Sequence, residues 1–212
     1  MTTSNLSYHV AFTRPPESGG GGLDGVLNFP MYYEIGQAFC GAPSAQGALF
    51  EAGSDDEAVA PPPSFLRLAR VLSEQLTAGY TALDLLGSFV DNHDTDRIAT
   101  TCRSSVARIS SALAFVFAMR GVPIVYAGTE QGLAGDKNNH NRYSLWAGRG
   151  YDVSAPLYKL IRKLNNVRKA HLSGVGRESL PARVVRATNQ TMILARGDAL
   201  MLFVNNRARV PG

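Results

Sequence analysis

The chain has 212 residues and a formal net charge of +4, from 21 Lys and Arg residues against 17 Asp and Glu residues. Hydrophobic residues make up 45% of it and charged residues only 18%, so the sequence can bury a core and is not disordered as a whole. The basic residues are scattered, and no apolar run reaches the roughly 18 residues that a membrane-spanning helix needs. The sequence therefore predicts a folded protein that binds neither nucleic acid nor a membrane.

The first 22 residues predict a flexible tail, because two prolines run into four glycines, Gly19 to Gly22, a composition typical of linkers. Residues Met1 to Ser7 lack the basic and then apolar pattern of a secretory signal, so the cellular location stays open. A second break, Gly41 to Pro63, ends in three prolines and predicts a surface loop.

Short apolar runs then alternate with helical patterns. The apolar runs predict three strands: Val26–Phe29, Leu85–Val90 and Gly121–Tyr126. Apolar residues at helical spacing predict four helices: Met31–Phe39, Phe65–Leu76, Val106–Met119 and Tyr158–Ala170. Because alternating strands and helices pair their strands in parallel, the sequence predicts an α/β fold over residues 23–172.

After His171 the pattern changes to strands without intervening helices. The strands are predicted at residues 183–186, 192–195 and 200–204. Residues 173–212 therefore predict the beginning of an all-β, antiparallel domain that is incomplete at Gly212.

The two cysteines, Cys40 and Cys102, are too few for a disulfide scaffold, and no C-x-x-C pair indicates a zinc site. The sequence therefore predicts two buried or unreactive thiols.

Seven consecutive polar residues, Asp91 to Arg97, directly follow the second predicted strand. The carboxyl ends of parallel strands are where α/β proteins place their functional side chains. Three interpretations of this cluster compete, and the residues alone do not choose among them.

A calcium loop would use oxygens at alternate positions from Asn92 to Asp96, but an arginine follows where such a loop needs glycine, and no glutamate closes it. A helix N-cap would use Asp94 or Thr95 to accept backbone N–H groups of the following helix. A catalytic carboxylate would have the imidazole of His93 beside it, an arrangement suited to a polyhydroxylated ligand.

Three blocks of the sequence, in order, resemble the α-amylase family (glycoside hydrolase family 13), and most of all the fungal-type α-amylases. The blocks are Leu23–Tyr33, Leu86–Arg97 and Gly121–Gly132, and the loop Gly135–Trp146 continues the match. The resemblance implies strands six to eight of a (β/α)8 TIM barrel, followed by the start of the antiparallel C-terminal domain. It also implies an enzyme that hydrolyses α-1,4-glucans, such as starch and maltooligosaccharides, with retention of configuration.

The resemblance places Asp94 at the family's transition-state stabiliser and His93 at an imidazole that donates to the same sugar. Arg142 matches an arginine that contacts the sugar beside the scissile bond. Four residues before it, where the family usually has an aspartate, this chain has Asn138. We expect these four residues to bind substrate, with weaker binding at Asn138, because a neutral amide is a weaker acceptor than a carboxylate.

The family's nucleophile and acid/base lie upstream of the Leu23 block, and residues Met1 to Gly22 contain no matching segment. The expected result is a fragment that is inactive alone. Calcium is expected in the full-length family, but the excursion that binds it is missing here, so no cofactor is expected in this chain.

The expected partners are an α-glucan and a complementary N-terminal barrel fragment. The alternative is a non-catalytic module that binds glucans or regulates another protein.

Overall fold

The computed structural model describes residues 5–13, 22–42, 63–146, 150–172 and 182–205. Its elements are α1 Leu6–Ala11, α2 Phe29–Ile35, α3 Phe65–Thr77, β1 Gly87–Ser88, α4 Ile98–Thr101, α5 Val106–Ala118, β2 Val122–Pro123, α6 Pro156–Val167, β3 Ala182–Ala187, β4 Thr191–Arg196 and β5 Ala199–Val204. Two π-helical turns, Gly36–Cys40 and Arg168–Leu172, follow α2 and α6, and two 3-10 turns span Leu83–Leu85 and Thr129–Gln131. Within these ranges, none of the helices is long and apolar enough to cross a membrane.

A small parallel sheet joins three segments that lie far apart in the sequence. β1 pairs in parallel with β2, and Leu27 makes a single parallel bridge with Gly87 of β1. Helices α2 and α3 separate Leu27 from β1, and α4 and α5 separate β1 from β2. The predicted α/β alternation is confirmed, although the observed ladders are much shorter than the predicted strands.

The segment around Leu27 forms only one bridge because helix α2 begins two residues later, at Phe29. The Asn28 side chain accepts a hydrogen bond from the backbone N–H of Met31 (3.4 Å), and Pro30 occupies the first turn. The amide of Asn28 also contacts the side chains of Gln75 (2.7 Å) and Ser88 (3.4 Å), and all three residues are buried. Buried polar side chains therefore link these segments where strand pairing is minimal.

The core lies between the helices and the second, antiparallel sheet. Helix α3 begins at Ser64, whose hydroxyl accepts from Leu66 N, and α5 is buried over most of its surface, as its apolar sequence predicts. The rings of Phe39, Phe115 and Phe203 pack edge to face or tilted, with centroids 5.5–6.1 Å apart. One apolar cluster thus unites residues from both parts of the chain.

The antiparallel sheet has the order β3-β4-β5. Its second ladder runs without interruption from Thr191↔Val204 to Arg196↔Ala199, whereas the first contains an irregularity between Val184 and Arg186. Met192 and Leu194 of the central strand are fully buried against the helices. These strands confirm the predicted change of pattern after His171.

Two arginines attach the sheet and helix α6 to the end of α5. Arg196 of β4 donates to the carbonyls of Ala118 (3.2 Å) and Met119 (2.6 Å), and Arg168 donates to those of Phe117 (2.7 Å) and Met119 (2.9 Å). A helix C-terminus favours cations, because its last carbonyls lack intrahelical partners. Burial lowers the pKa of Arg196 to about 10, so the guanidinium remains charged at neutral pH.

Part of the segment predicted as a flexible tail is the helix α1. Asn5 caps it by accepting from Tyr8 N (3.1 Å), and His9 is buried. The His9 ring contacts the Leu27 carbonyl through Nε2 (2.7 Å) and the Tyr80 hydroxyl through Nδ1 (2.7 Å). Six residues are too few to show a clear helical period, and the contacts that order them come from residues far along the chain.

Burial lowers the pKa of His9. Because a carbonyl only accepts, Nε2 of the neutral ring carries the proton, and Nδ1 accepts from the Tyr80 hydroxyl.

The prediction of two thiols is wrong, because Cys40 and Cys102 form a disulfide with their Cα atoms 4.6 Å apart. The bond joins the π-helical turn after α2 to the end of α4 across 62 residues of sequence. Spacing alone cannot reveal such a pair, since only the packing of the two helices brings the cysteines together.

Some predictions concern residues outside the described ranges. They include the glycine run Gly19–Gly21, most of the predicted loop Gly41–Pro63 and the last residues, 206–212.

Candidate functional site

The polar residues after β1 form a loop, and its first residue, Asp91, is buried and anchors the loop through two hydrogen bonds. Its side chain is fully buried, and its carboxylate accepts from the backbone N–H of Ile98 (2.9 Å) and the hydroxyl of Thr129 (2.7 Å). Burial raises the pKa of Asp91, because the charged form loses its hydration, and the two hydrogen bonds oppose that rise. Asp91 therefore connects β1, the start of α4 and the turn after β2.

The N-cap interpretation named the wrong residues. The carboxylate that accepts from the first turn of α4 belongs to Asp91, not to Asp94 or Thr95. The Thr95 hydroxyl instead accepts from Asn92 N (3.0 Å), and the Asn92 side chain accepts from Asp94 N (2.8 Å). These local bonds close a tight turn at the surface.

The turn presents His93 and Asp94 to solvent beside Arg142. His93 Nε2 lies 3.3 Å from Asp94 Oδ2, and Arg142 Nη2 lies 3.4 Å from Asp94 Oδ1. Arg142 Nε also donates to the backbone carbonyl of His93 (3.1 Å). All three side chains are more than half exposed, so these surface contacts add little stability and their polar atoms can reach a ligand.

The structure does not bring Asn138 into this group. Asn138 is exposed, and its backbone N–H donates to Asp136 Oδ1 (2.9 Å), an oxygen that also contacts His140 Nδ1 (2.9 Å). Among the residues that the structure describes, the Asn138 side chain makes no hydrogen bond to Asp94 or Arg142.

The oxygens of the calcium-loop interpretation face different partners. Asn92 accepts from Asp94 N, Asp94 faces His93 and Arg142, and Asp96 accepts from Lys137 N (2.7 Å). In the described ranges, no group of three or more His, Cys, Asp or Glu side chains could hold a metal ion. Because their oxygens point to different partners, these residues do not fit a bound calcium ion.

Asp94 lines one end of an open cleft of about 620 Å³. The cleft walls combine hydroxyls, charges and aromatic rings: Tyr32, Tyr33, Thr95, Asp96, Thr100, Thr101, Arg103 and Lys137. Burial raises the pKa of Tyr32 to about 12, so its hydroxyl stays neutral, and its ring stacks on Phe89 with centroids 5.2 Å apart. Such a surface can hydrogen-bond and stack on a polyhydroxylated ligand.

Sequence reasoning missed several residues that shape this site. Thr129 lies in a block that carries the resemblance, yet only the folded chain shows that its hydroxyl reaches Asp91. Tyr33 and Lys137 also lie in segments that carry the resemblance, but only the folded chain shows that they line the cleft beside Asp94.

Comparison with known proteins shows the same relationship in sequence and in structure. The family profile described as "Alpha amylase, catalytic domain" matches residues 61–145. An α-amylase of Saccharomycopsis fibuligera is 31% identical over 186 residues, which are 86% of this chain and 33% of the relative. Alpha-amylase 2 of Schwanniomyces occidentalis is 34% identical over 146 residues, which are 69% of this chain and 24% of the relative.

The solved structure of an α-amylase from Malbranchea cinnamomea superimposes with a TM-score of 0.76 at 28% identity, covering 97% of this chain and 38% of that one. The chain belongs to the α-amylase family. It corresponds to a C-terminal part of these TIM-barrel glycosidases and spans about a quarter to a third of the length of the curated relatives above. The predicted family resemblance is confirmed.

Proposed function

We propose that this chain supplies strands six to eight of an α-amylase barrel and binds α-1,4-glucans at Asp94, His93 and Arg142. The three parallel segments, Leu27, β1 and β2, follow one another in the sheet in chain order, as successive barrel strands do. The polar loop leaves the carboxyl end of the middle segment, where barrel enzymes carry their functional side chains.

The observation that carries the proposal is an exposed carboxylate held between an imidazole and a guanidinium. Asp94 can accept hydrogen bonds from sugar hydroxyls, while His93 and Arg142 can donate to them. Glycoside hydrolysis passes through an oxocarbenium-like transition state, and a nearby carboxylate stabilises its positive charge. The cleft that opens from Asp94 offers room for further sugar units.

Asp94 does not complete the reaction alone. A retaining glycosidase needs a nucleophile and an acid/base about 5 Å apart. Asp91 is buried and committed to two hydrogen bonds, and Asp96 accepts from the Lys137 backbone. We therefore expect the 212-residue polypeptide by itself to bind maltooligosaccharides without hydrolysing them.

Isothermal titration of the purified chain with maltoheptaose, together with an assay of reducing-sugar release from soluble starch, tests this proposal. Asp94→Asn should weaken binding about tenfold, because a hydrogen bond to a charged group is worth roughly 1.5–3 kcal/mol. Asp24→Asn, at another exposed position, is the matched control and should bind like the parent chain. Hydrolysis by the parent chain that disappears in Asp94→Asn would overturn the expected inactivity, and absence of maltoheptaose binding would overturn the glucan site.

Asn138 favours a second candidate, a non-catalytic glucan-binding or regulatory module. The family's aspartate is absent there, and the amide makes no bond to the other site residues in the described part of the chain. The deciding experiment adds a polypeptide that carries the family's nucleophile and acid/base segments. Restored hydrolysis that depends on Asp94 supports the enzyme fragment, whereas binding without restored hydrolysis supports the module.

A further inference from the structure

Asn141 lies directly before Arg142 and is completely buried. Its side-chain Nδ2 donates to the backbone carbonyls of Thr95 (2.7 Å) and His93 (2.9 Å) and lies 3.5 Å from that of Asn92. The side-chain amide of Asn141 therefore contacts three backbone carbonyls of the turn that carries His93 and Asp94. An amide nitrogen has only two hydrogens, so the two shorter contacts are the principal bonds.

Asn141 is itself fixed from the opposite side. Its backbone carbonyl accepts from Nε of Arg97 (2.8 Å), a residue that is only 1% exposed. The Arg97 guanidinium lies over the ring of Tyr126, 3.9 Å from the centroid, in the geometry of a cation–π contact. The backbone N–H of Arg97 also donates to the Gly135 carbonyl (2.9 Å). The polar loop after β1 is therefore joined to the loop Gly135–Trp146 at several points.

These contacts set where Arg142 stands relative to Asp94. The His93 carbonyl accepts from both Asn141 Nδ2 and Arg142 Nε, so the two adjacent residues share one anchor on the turn. The Arg142–Asp94 pair is exposed and long, at 3.4 Å, and such a pair does not hold its own geometry. The buried amide next to it can do so.

We propose that Asn141 is a positioning residue for glucan binding, which holds Asp94, His93 and Arg142 at the spacing that one sugar unit requires. This inference rests on the proposed glucan site. Because Asn141 is completely buried beneath the turn, its side chain is out of reach of a bound sugar and acts through the backbone that it holds. Its requirement is a hydrogen-bond donor, because all the atoms that face Nδ2 are carbonyl oxygens.

The test is the affinity for maltoheptaose, measured by isothermal titration well below the unfolding midpoint of each variant. Asn141→Asp keeps the size of the side chain and removes the donor, and we expect it to weaken binding about tenfold or more, as for a lost buried hydrogen-bond network. Asn205→Asp is the matched control, because Asn205 is also buried and donates through Nδ2 to a carbonyl, that of Ala38 (2.5 Å). It should lower the unfolding midpoint and leave the affinity unchanged.

A double-mutant cycle separates positioning from a general loss of stability. If Asn141 positions the site residues, Asn141→Asp will weaken binding less in the Arg142→Ala background than in the parent chain. Additive losses, or unchanged affinity of a folded Asn141→Asp, would overturn the inference. Where Asn141→Asp does not fold, Asn141→Ala removes the donor without adding a charge, and unchanged affinity of that folded variant would likewise overturn the inference. Failure of the parent chain to bind maltoheptaose refutes the glucan site itself, which is a separate outcome.

Discussion

The two sheets of this chain are held together in opposite ways. The antiparallel sheet has six-residue strands, and its pairing partners lie close in the sequence across short turns. The parallel sheet has a single bridge and a two-residue ladder, between segments separated by whole helices. Around it, buried polar side chains and a disulfide make the connections that strand pairing makes in the antiparallel sheet.

This difference predicts where single substitutions are most damaging. A regular ladder spreads its stability over many backbone bonds, which replacement of a side chain by anything but proline leaves in place. In the parallel region, the buried side chains of Asn28, Asp91 and Asn141 each serve two or three backbone or side-chain partners, and removal of one leaves all of its partners unsatisfied. We therefore expect the candidate site to depend on a few buried polar residues, whereas the pairing within the antiparallel sheet depends on backbone bonds and its attachment to α5 on Arg196.

The largest effect should come from the disulfide. Replacement of both Cys40 and Cys102 with Ser should lower the free energy of unfolding by about 4 kcal/mol, because the bond closes a loop of 62 residues. Urea denaturation under non-reducing conditions measures the change. Reduction of the parent chain should shift its midpoint to that of the double variant. Coincident curves for the oxidised parent and the variant would show that the cross-link does not stabilise this region.

A buried acceptor in the parallel region should matter more than a similar one in the antiparallel sheet. Asp91→Ala leaves two buried donors, the Ile98 N–H and the Thr129 hydroxyl, without an acceptor. We expect a loss of about 3 kcal/mol in the free energy of unfolding. Thr188, at the β3–β4 turn, also accepts two hydrogen bonds, from Gln190 N (3.2 Å) and Thr191 N (2.9 Å). Thr188→Ala should cost only about 1 kcal/mol, because water can reach that turn. Equal losses in the two variants would remove the contrast between the sheets.

The smallest effect concerns pH and the buried Glu34 of α2. Burial raises the pKa of Glu34 above its ordinary value of 4.5, although Arg67 (2.9 Å) opposes the rise. As pH increases above 4.5, the unfolded chain loses this proton before the folded chain does. The folded state then binds more protons, so this contribution to stability falls until the pH passes the folded-state pKa.

Glu34→Gln removes this titration. Urea denaturation at several pH values should therefore show that the free energy of unfolding of the variant increases relative to that of the parent chain as pH rises from 4.5 toward neutrality. A difference that is constant, or that moves in favour of the parent chain, would contradict the assigned direction.

The sequence predicted the order of helices and strands well, because apolar periodicity reports which residues face a core. It overestimated the parallel strands, since residues Leu86–Val90 of the apolar run are buried although only Gly87 and Ser88 pair as a strand. It could not show that Asn28 ends one strand and caps a helix at the same time. The helix α1 and the disulfide depend on partners more than 60 residues away, and local patterns do not contain such information.

The candidate site shows the same division. The position of the polar cluster after a strand drew attention to His93 and Asp94, but their roles, like that of Arg142, were predicted only through the family resemblance. Asp91 was part of the same cluster, but its role as the buried acceptor needed the fold, because Thr129 reaches it from another turn. The assignment of Asn138 to substrate binding remains a prediction, and among the described residues its side chain makes no hydrogen bond to Asp94 or Arg142.

The outer edges of the parallel sheet give the final consequence. The Leu27 carbonyl, which faces away from β1 because Val26 O and Asn28 N pair with Gly87, contacts the ring of His9. At the opposite edge, the carbonyl of Gly121 accepts from the guanidinium of Arg168. A strand that pairs at these two carbonyls must therefore put its backbone amide in place of an imidazole on one side or of a guanidinium on the other.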